Sequence, residues 1–167
     1  MSKLYCYSMV DFNQMCKDNG WNDSNMPSNA AFISILSTPD VAEYYGYICH
    51  YCYFRETHQN VFVVHFDDIT EGQLEFDNGN CVATCITEDD AYRMVKFIND
   101  NAGKDLYVHC MAGKSRSQAV VRYILDHYPD IYDVQSLNPA NPCLYPNILV
   151  KLRLNRAYEK LMNETGA

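Results

Sequence analysis

One stretch decides the fold of this chain: Val108-His109-Cys110-Met111-Ala112-Gly113-Lys114-Ser115-Arg116-Ser117. The residues before it predict a short buried strand over Asp105–Cys110, whose apolar part is Leu106-Tyr107-Val108. The residues after it, Ser117–His127, carry apolar side chains at helical spacing. The loop between strand and helix must therefore curl at a helix N-terminus, where unpaired backbone N–H groups and the helix dipole favour an anion.

The residue types of this loop suit nucleophilic attack on a bound phosphate. Gly113 permits a tight curl without a Cβ clash, and Arg116 presents a planar fork that can bind two phosphate oxygens. The helix N-terminus and the guanidinium favour the thiolate form of Cys110, which could attack phosphorus. Ser117 stands where a hydroxyl could donate to the sulfur and help it leave. We expect His109 to point away from the substrate and to hydrogen-bond the loop backbone.

The run from His109-Cys110 to Arg116-Ser117 resembles the signature loop of the cysteine-based protein tyrosine phosphatases. Ala112-Gly113 and Ser115-Arg116-Ser117 are most similar to the dual-specificity branch, and a coarser resemblance extends from Ala31 to His127. The resemblance implies hydrolysis of a phosphomonoester through a cysteinyl-phosphate, with Cys110, Arg116 and Ser117 in catalysis. It also implies that the substrate is bound by Met111, Ala112, Gly113, Lys114, Ser115 and Arg116.

This reaction also needs a proton donor for the departing oxygen, and an upstream aspartate is expected. A β-branched strand runs into Asp67 and Asp68, which resembles the family's general-acid loop and favours Asp68, then Asp67. Their distance from Cys110 exceeds the family's usual spacing, so we expect an insertion at about 71–84. Asp77 has the more ordinary spacing and is the third candidate, although its Asp-Asn-Gly sequence also fits a simple turn.

The rest of the chain predicts alternating strands and helices, and hence an α/β fold with a central, mostly parallel sheet flanked by helices. The resemblance makes this the dual-specificity phosphatase type, with one phosphatase domain over residues 1–167. Strands are expected at Tyr5–Met9 and Ala31–Leu36, and helices at Val10–Asn19, Thr87–Asn101 and Asn147–Met162. The last helix is expected to bury Ile148, Leu149, Leu152 and Leu161. Val41–Phe54 fits a helix or a strand, and prolines predict loop structure from Tyr128 to Tyr145.

The composition of the chain limits the kinds of partner that it can bind. The net charge of −8 argues against nucleic acid, because neutralising its backbone requires a basic face. No basic leader and no run of about 20 apolar residues is present, so we expect a soluble, cytoplasmic protein without membrane contact. Eight cysteines without a secretory signal indicate reduced thiols. The expected partner is a phosphorylated protein or another phosphomonoester, with oligomeric state and the choice between phosphotyrosine alone and dual specificity left open.

Several alternatives stay beside the hydrolase. Cys49, Cys52, Cys81 and Cys85 invite a zinc site, but they lack the glycine-rich knuckles of such sites, so we expect neither metal nor cofactor. The phosphatase fold could also serve as a phosphate- or phosphoprotein-binding module without turnover. Lys114 permits a phosphoinositide phosphatase, although Met111 stands where such enzymes carry a second basic residue. A thiol transferase of the rhodanese or arsenate-reductase kind also uses a cysteine at an anion site.

Overall fold

A five-stranded parallel sheet forms the centre of the molecule. The computed structural model of the chain describes residues 1–46, 54, 56–70, 72–136 and 145–166. The sheet strands are β1 (Ser2–Ser8), β2 (Ala30–Leu36), β3 (Val61–His65), β6 (Asp105–Cys110) and β7 (Tyr132–Ser136). Their order across the sheet is β3-β2-β6-β1-β7. An antiparallel hairpin, β4 (Gln73–Phe76) and β5 (Cys81–Thr84), lies outside this sheet. The predicted α/β fold with a parallel sheet is confirmed.

Helices cover both faces of the sheet, as the apolar character of parallel strands requires. They are α1 (Met9–Asp18), α3 (Glu88–Asp100), α4 (Arg116–His127) and α5 (Ile148–Thr165), whereas the short helix α2 (Pro39–Tyr44) packs against β5. The start of α3 follows from local chemistry, because the Thr87 side chain accepts a hydrogen bond from the Asp90 N–H and three acids occupy the first turn. No helix within the described ranges is both long and apolar enough to cross a membrane.

β6 lies between β1 and β2, and its side chains alternate between two cores. Val108 and Cys110 belong to the larger core, which α3, α4 and α5 cover. Tyr107 belongs to the smaller core on the other face, with Phe12 of α1 and Phe32 of β2. This alternation brings Cys110 to the α4 side of the sheet at the carboxyl end of its central strand.

The structure corrects the prediction of loop structure from Tyr128 to Tyr145. Residues Tyr132–Ser136 form β7, which pairs with β1 in parallel. Tyr132 and Val134 pack on the main core with the spacing of a strand, but the surrounding prolines masked this pattern in the sequence. A five-residue strand of this kind is stabilised chiefly by the neighbouring edge that it covers, and a single sequence does not display that edge.

The predicted inner face of the last helix was wrong in part. Leu161 is buried as expected, but Ile148 is 76% exposed and Leu152 is 42% exposed. The buried stripe instead consists of Val150, Leu154, Ala157 and Leu161. The helix carries apolar residues on two stripes, and packing against α3 and α4 selects one of them.

Two further predictions concern the segments on either side of β3. Val41–Phe54 begins as the short helix α2, while residues 47–53 and 55 lie outside the described residues. The insertion predicted at about 71–84 contains the β4–β5 hairpin. Val41 of α2 packs against Cys81 and Ala83 of β5, so helix and hairpin form one unit beside the end of the sheet.

Candidate active site

A cleft of about 330 Å³ opens at the carboxyl ends of the central strands. Such a crevice is where open α/β sheets bind their ligands. Its floor is the loop that joins β6 to α4, which contributes Cys110, Met111, Ala112, Lys114, Ser115 and Arg116. The opposite wall combines α2, the loop after β3 and the hairpin, through Ser37, Val41, Tyr45, Asp67, Asp68, Ile69, Phe76 and Ala83. The predicted loop and both preferred acids therefore line one cleft.

Gly113 sets the path of the loop. Its φ of +68° lies in the left-handed region, and a Cβ there would stand 2.7 Å from backbone atoms of Tyr7 and Ser8. The carbonyl of Gly113 accepts a hydrogen bond from the Gln118 side chain at 3.1 Å. Within the described residues, no backbone N–H from Ala112 to Ser115 donates to a backbone or side-chain acceptor. A curl of unpaired N–H groups at the start of α4 is suited to an anion.

Cys110 ends β6 with its sulfur in contact with a hydroxyl group. The Sγ atom lies 3.2 Å from Ser117 Oγ, so the predicted contact between these two side chains is formed. A second thiol, Cys6 on β1, donates to the same Ser117 oxygen at 3.3 Å. The Cys6 thiol also lies 3.8 Å from the Gly113 carbonyl. When Cys6 donates to Ser117 Oγ, that oxygen accepts one hydrogen bond and can still donate its own hydrogen to Cys110. Sequence reasoning missed Cys6, which adjoins Cys110 only through the pairing of β1 with β6.

Arg116 is turned into the protein and is only 5% exposed. Its Nη1 donates to the carbonyl of Phe66 at 2.7 Å and to Ser37 Oγ at 3.4 Å. The buried Nε has no acceptor within the described residues. One arm of the guanidinium is thus anchored to the protein, and the side chain lines the cleft. A buried cation is costly unless it is paired, and an anion bound in the loop would pair with it.

The three candidate acids occupy different environments. Asp68 lines the cleft, and its Oδ1 accepts hydrogen bonds from Ser115 Oγ at 2.7 Å and from Asn147 Nδ2 at 2.8 Å. Asp67 is 3% exposed, and both of its carboxylate oxygens accept hydrogen bonds from the protein. Asp77 lies in the turn of the hairpin, outside the residues that line the cleft, and its carboxylate Oδ2 accepts a hydrogen bond from Asn80 Nδ2 at 3.5 Å.

The hydrogen bonds of Asp67 have a structural effect. Its partners are the backbone N–H and hydroxyl of Thr38, at 3.0 and 2.6 Å, and the backbone N–H of Thr84, at 2.9 Å. Thr38 precedes α2 and Thr84 ends β5. Asp67 therefore ties the loop after β3 to the helix and hairpin that form the opposite wall, while the neighbouring Asp68 lies at the cleft.

His109 points away from the cleft, onto the α1 side of the sheet. Its ring stacks on Phe12 with centroids 4.1 Å apart, and it is fully buried. The expected hydrogen bonds to the loop are not formed: neither ring nitrogen has a partner in hydrogen-bonding geometry within the described residues. Burial lowers the pKa of His109 to about 3. The Cys110 backbone raises this pKa by part of the shift, and the positive charge of Arg116 lowers it further. The neutral ring thus packs as an aromatic side chain.

The cysteine pairs are only partly described. Cys81 and Cys85 are buried free thiols, whereas Cys49 and Cys52 lie outside the described residues. The described part of the chain contains no group of three or more His, Cys, Asp or Glu side chains that could hold a metal ion.

The chain matches no model of a known protein family, and it matches no curated protein. What the site does must therefore be inferred from its own residues and their geometry.

Asn147 is the main residue of this site that sequence reasoning missed. It precedes α5 and is almost fully buried against the loop that carries Asp68. An asparagine before a helical apolar run signals a helix N-cap, and the Asn147 side chain does accept from the Val150 N–H. Its contact with Asp68, 79 residues away along the chain, has no local signal in the sequence.

Proposed function

We propose that this protein is a phosphomonoester hydrolase that works through a cysteinyl-phosphate, as a phosphatase of the protein tyrosine or dual-specificity kind. The observation that carries the proposal is that Cys110, Arg116 and Asp68 line one cleft at the start of α4. A nucleophile, an anion-binding cation and a carboxyl group are the three parts that this reaction requires. The loop residues Met111 to Ser115 supply the backbone that surrounds the phosphate.

In the first step, the Cys110 thiolate attacks phosphorus in line with the ester oxygen. The S–P bond forms as the P–O bond breaks, and Asp68 in its acid form gives the departing oxygen a proton. Arg116 and the backbone N–H groups of the loop stabilise the charge on the phosphoryl oxygens. The anchoring of Arg116 on Phe66 supports this role, because the guanidinium needs little reorganisation when the phosphate binds.

In the second step, water attacks the cysteinyl-phosphate and returns the thiolate and inorganic phosphate. Asp68, now a carboxylate, accepts a proton from that water. The Ser117 hydroxyl, 3.2 Å from the sulfur, donates to the departing thiolate. The donation from Cys6 to Ser117 Oγ leaves the Ser117 hydrogen available for this purpose. The net reaction consumes one ester and one water.

The opposite wall of the cleft favours an aryl ester. Tyr45 and Phe76 give this wall two aromatic rings, and Val41 and Ile69 add apolar surface. The ring of a phosphotyrosine could bury apolar area there and stack on an aromatic neighbour, which the short side chain of a phosphoserine could not do to the same extent. We therefore choose aryl phosphates and a phosphotyrosine peptide as test substrates.

The test compares the wild type with Cys110→Ser on p-nitrophenyl phosphate and on a phosphotyrosine peptide. The wild type is expected to release phosphate from both and to carry a thiol-bound phosphoryl group after rapid acid quenching. Cys110→Ser should bind the peptide without releasing phosphate. Cys16 of α1 is also a buried cysteine, so Cys16→Ser controls for the loss of a thiol from the core. This variant should keep the activity. If the wild type binds inorganic phosphate but hydrolyses neither substrate, the protein is instead a phosphate-binding module.

A further inference from the structure

Asn147 joins three parts of the molecule through one buried side chain and its backbone. Its Nδ2 donates to Asp68 Oδ1 at 2.8 Å and to the Ile69 carbonyl at 3.2 Å. Its Oδ1 accepts from the Val150 N–H at 3.0 Å, at the start of α5. Its backbone N–H donates to the Ser115 carbonyl at 3.3 Å, at the end of the loop Met111–Ser115 that we call the phosphate loop. Both polar atoms of the Asn147 side chain therefore make hydrogen bonds, Nδ2 as a donor and Oδ1 as an acceptor.

We propose that Asn147 is the positioning residue of the general acid, holding Asp68 in register with the phosphate loop; the proposal rests on the hydrolase function. The role is distinct from helix capping. A cap needs only an acceptor, which serine, threonine or aspartate supplies as well. The contacts with Asp68 and Ile69 need a donor in addition, and a side-chain amide supplies donor and acceptor together.

The consequence for Asp68 lies in how its two oxygens are used. Oδ1 accepts from both Ser115 and Asn147, at 2.7 and 2.8 Å. Oδ2 has no hydrogen-bond partner within the described residues. The acid form therefore carries its proton on Oδ2, because Oδ1 is already occupied by two donors. The Asp68 carboxyl group is otherwise exposed, so fixing Oδ1 also fixes the direction in which Oδ2 can donate a proton to the leaving oxygen.

Ser115 makes this arrangement a link between acid and phosphate. Its hydroxyl donates to Asp68, while its carbonyl accepts from the backbone N–H groups of Asn147 and of Ala119 in α4. The residue that ends the phosphate loop thus contacts both the acid and the residue that holds the acid. The distance between the proton donor and the bound phosphate is set by these contacts, since Asp68 lies on a loop rather than in a strand.

The test uses Asn147→Ser, which keeps a capping oxygen for α5 but lacks the amide donor. Rates are measured on phenyl phosphate, whose leaving group needs protonation, and on 2,4-dinitrophenyl phosphate, whose leaving group departs without it. We expect kcat/KM for phenyl phosphate to fall about 10²-fold, mainly in kcat, as for a misplaced catalytic group. For the dinitrophenyl ester, kcat/KM should stay unchanged, because it reports only the steps up to the cysteinyl-phosphate and that leaving group needs no proton from Asp68. A merely structural role for Asn147 would reduce both rates together.

Two controls separate positioning from stability. Thr87→Ala removes the cap of α3, away from the cleft, and should weaken folding without altering the ratio of the two rates. In an Asp68→Asn background, Asn147→Ser should cost nothing further on phenyl phosphate, because a residue that acts only through Asp68 has nothing left to position. Should Asn147→Ser fail to fold, Asn147→Asp keeps the cap and replaces the donor by an acceptor, with the same expected selectivity.

The outcomes are distinct. Selective loss on phenyl phosphate, absent in the Asp68→Asn background, supports the proposal. Equal losses on both esters, or a further loss on top of Asp68→Asn, would overturn the role of Asn147 and leave the hydrolase intact. A wild type that is inert toward both esters would overturn the hydrolase and this proposal with it.

Discussion

The close approach of the β6–α4 loop to β1 gives the most quantitative prediction. In Gly113→Ala, the added Cβ would stand 2.7 Å from the Tyr7 carbonyl carbon and oxygen and from the Ser8 nitrogen. Ordinary contacts between such atoms begin at about 3.5 Å, so the loop or the end of β1 must move by nearly 1 Å. None of these atoms belongs to a flexible side chain that could give way.

Two energetic costs combine in this substitution. An alanine at φ +68° costs about 1–2 kcal/mol, and the overlap with backbone adds about 1–3 kcal/mol. The free energy of unfolding should therefore fall by about 2–5 kcal/mol, measured by urea denaturation. Because a displacement of this size misplaces the nucleophile, kcat/KM for an aryl phosphate should fall about 10²-fold in the molecules that remain folded.

Gly20 offers a matched control for the conformational part of the cost. Its φ is +67°, but a Cβ there would meet nothing within 4 Å. Gly20→Ala should lose only about 1–2 kcal/mol of stability and keep its activity. If Gly113→Ala proved no less stable than Gly20→Ala and equally active, the loop would not be seated on β1 as described, and the reasoning about the anion site would fail.

Three further predictions concern individual side chains. Arg116→Lys should lower kcat/KM and weaken inhibition by inorganic phosphate. A lysine ammonium can replace the hydrogen bond to the Phe66 carbonyl, but it cannot bind two phosphate oxygens side by side as a planar guanidinium does. Unchanged kinetics would show that Arg116 is not part of the site. Asp68→Asn should slow phenyl phosphate hydrolysis by about 10²–10⁴, and if Asp77→Asn does so instead, the wrong acid has been chosen. Because the pKa of His109 falls from 6.5 to about 3 in the fold, the unfolded chain binds more protons between these values. Stability present above pH 6.5 should therefore be lost as the pH falls toward 3, by up to about 1.4 kcal/mol per unit. His109→Phe should flatten this part of the urea-unfolding pH profile, and an unchanged profile would mean that the ring is not buried as a neutral group.

The local features of the fold were predictable because short-range patterns specify them. The strand at Asp105–Cys110 and the helix α4 were found within one residue, since apolar spacing and the change of period mark both. The helix from Thr87 was also predicted, because capping chemistry marks its start and apolar spacing marks its inner face. β7 and the buried stripe of α5 were not predicted correctly, because each depends on the neighbour it packs against: the edge of β1 for one, and the surfaces of α3 and α4 for the other.

The same division holds for the site. Cys110, Gly113 and Arg116 lie within seven residues, and this local spacing was enough to predict a tight loop that brings a thiol and a guanidinium to one cleft. The environments of the acids, the approach of Cys6 to Ser117 and the contact of Asn147 with Asp68 were decided only by the tertiary structure. Their partners are distant along the chain, and a hydrogen bond depends on separation in space, which a linear sequence does not encode locally.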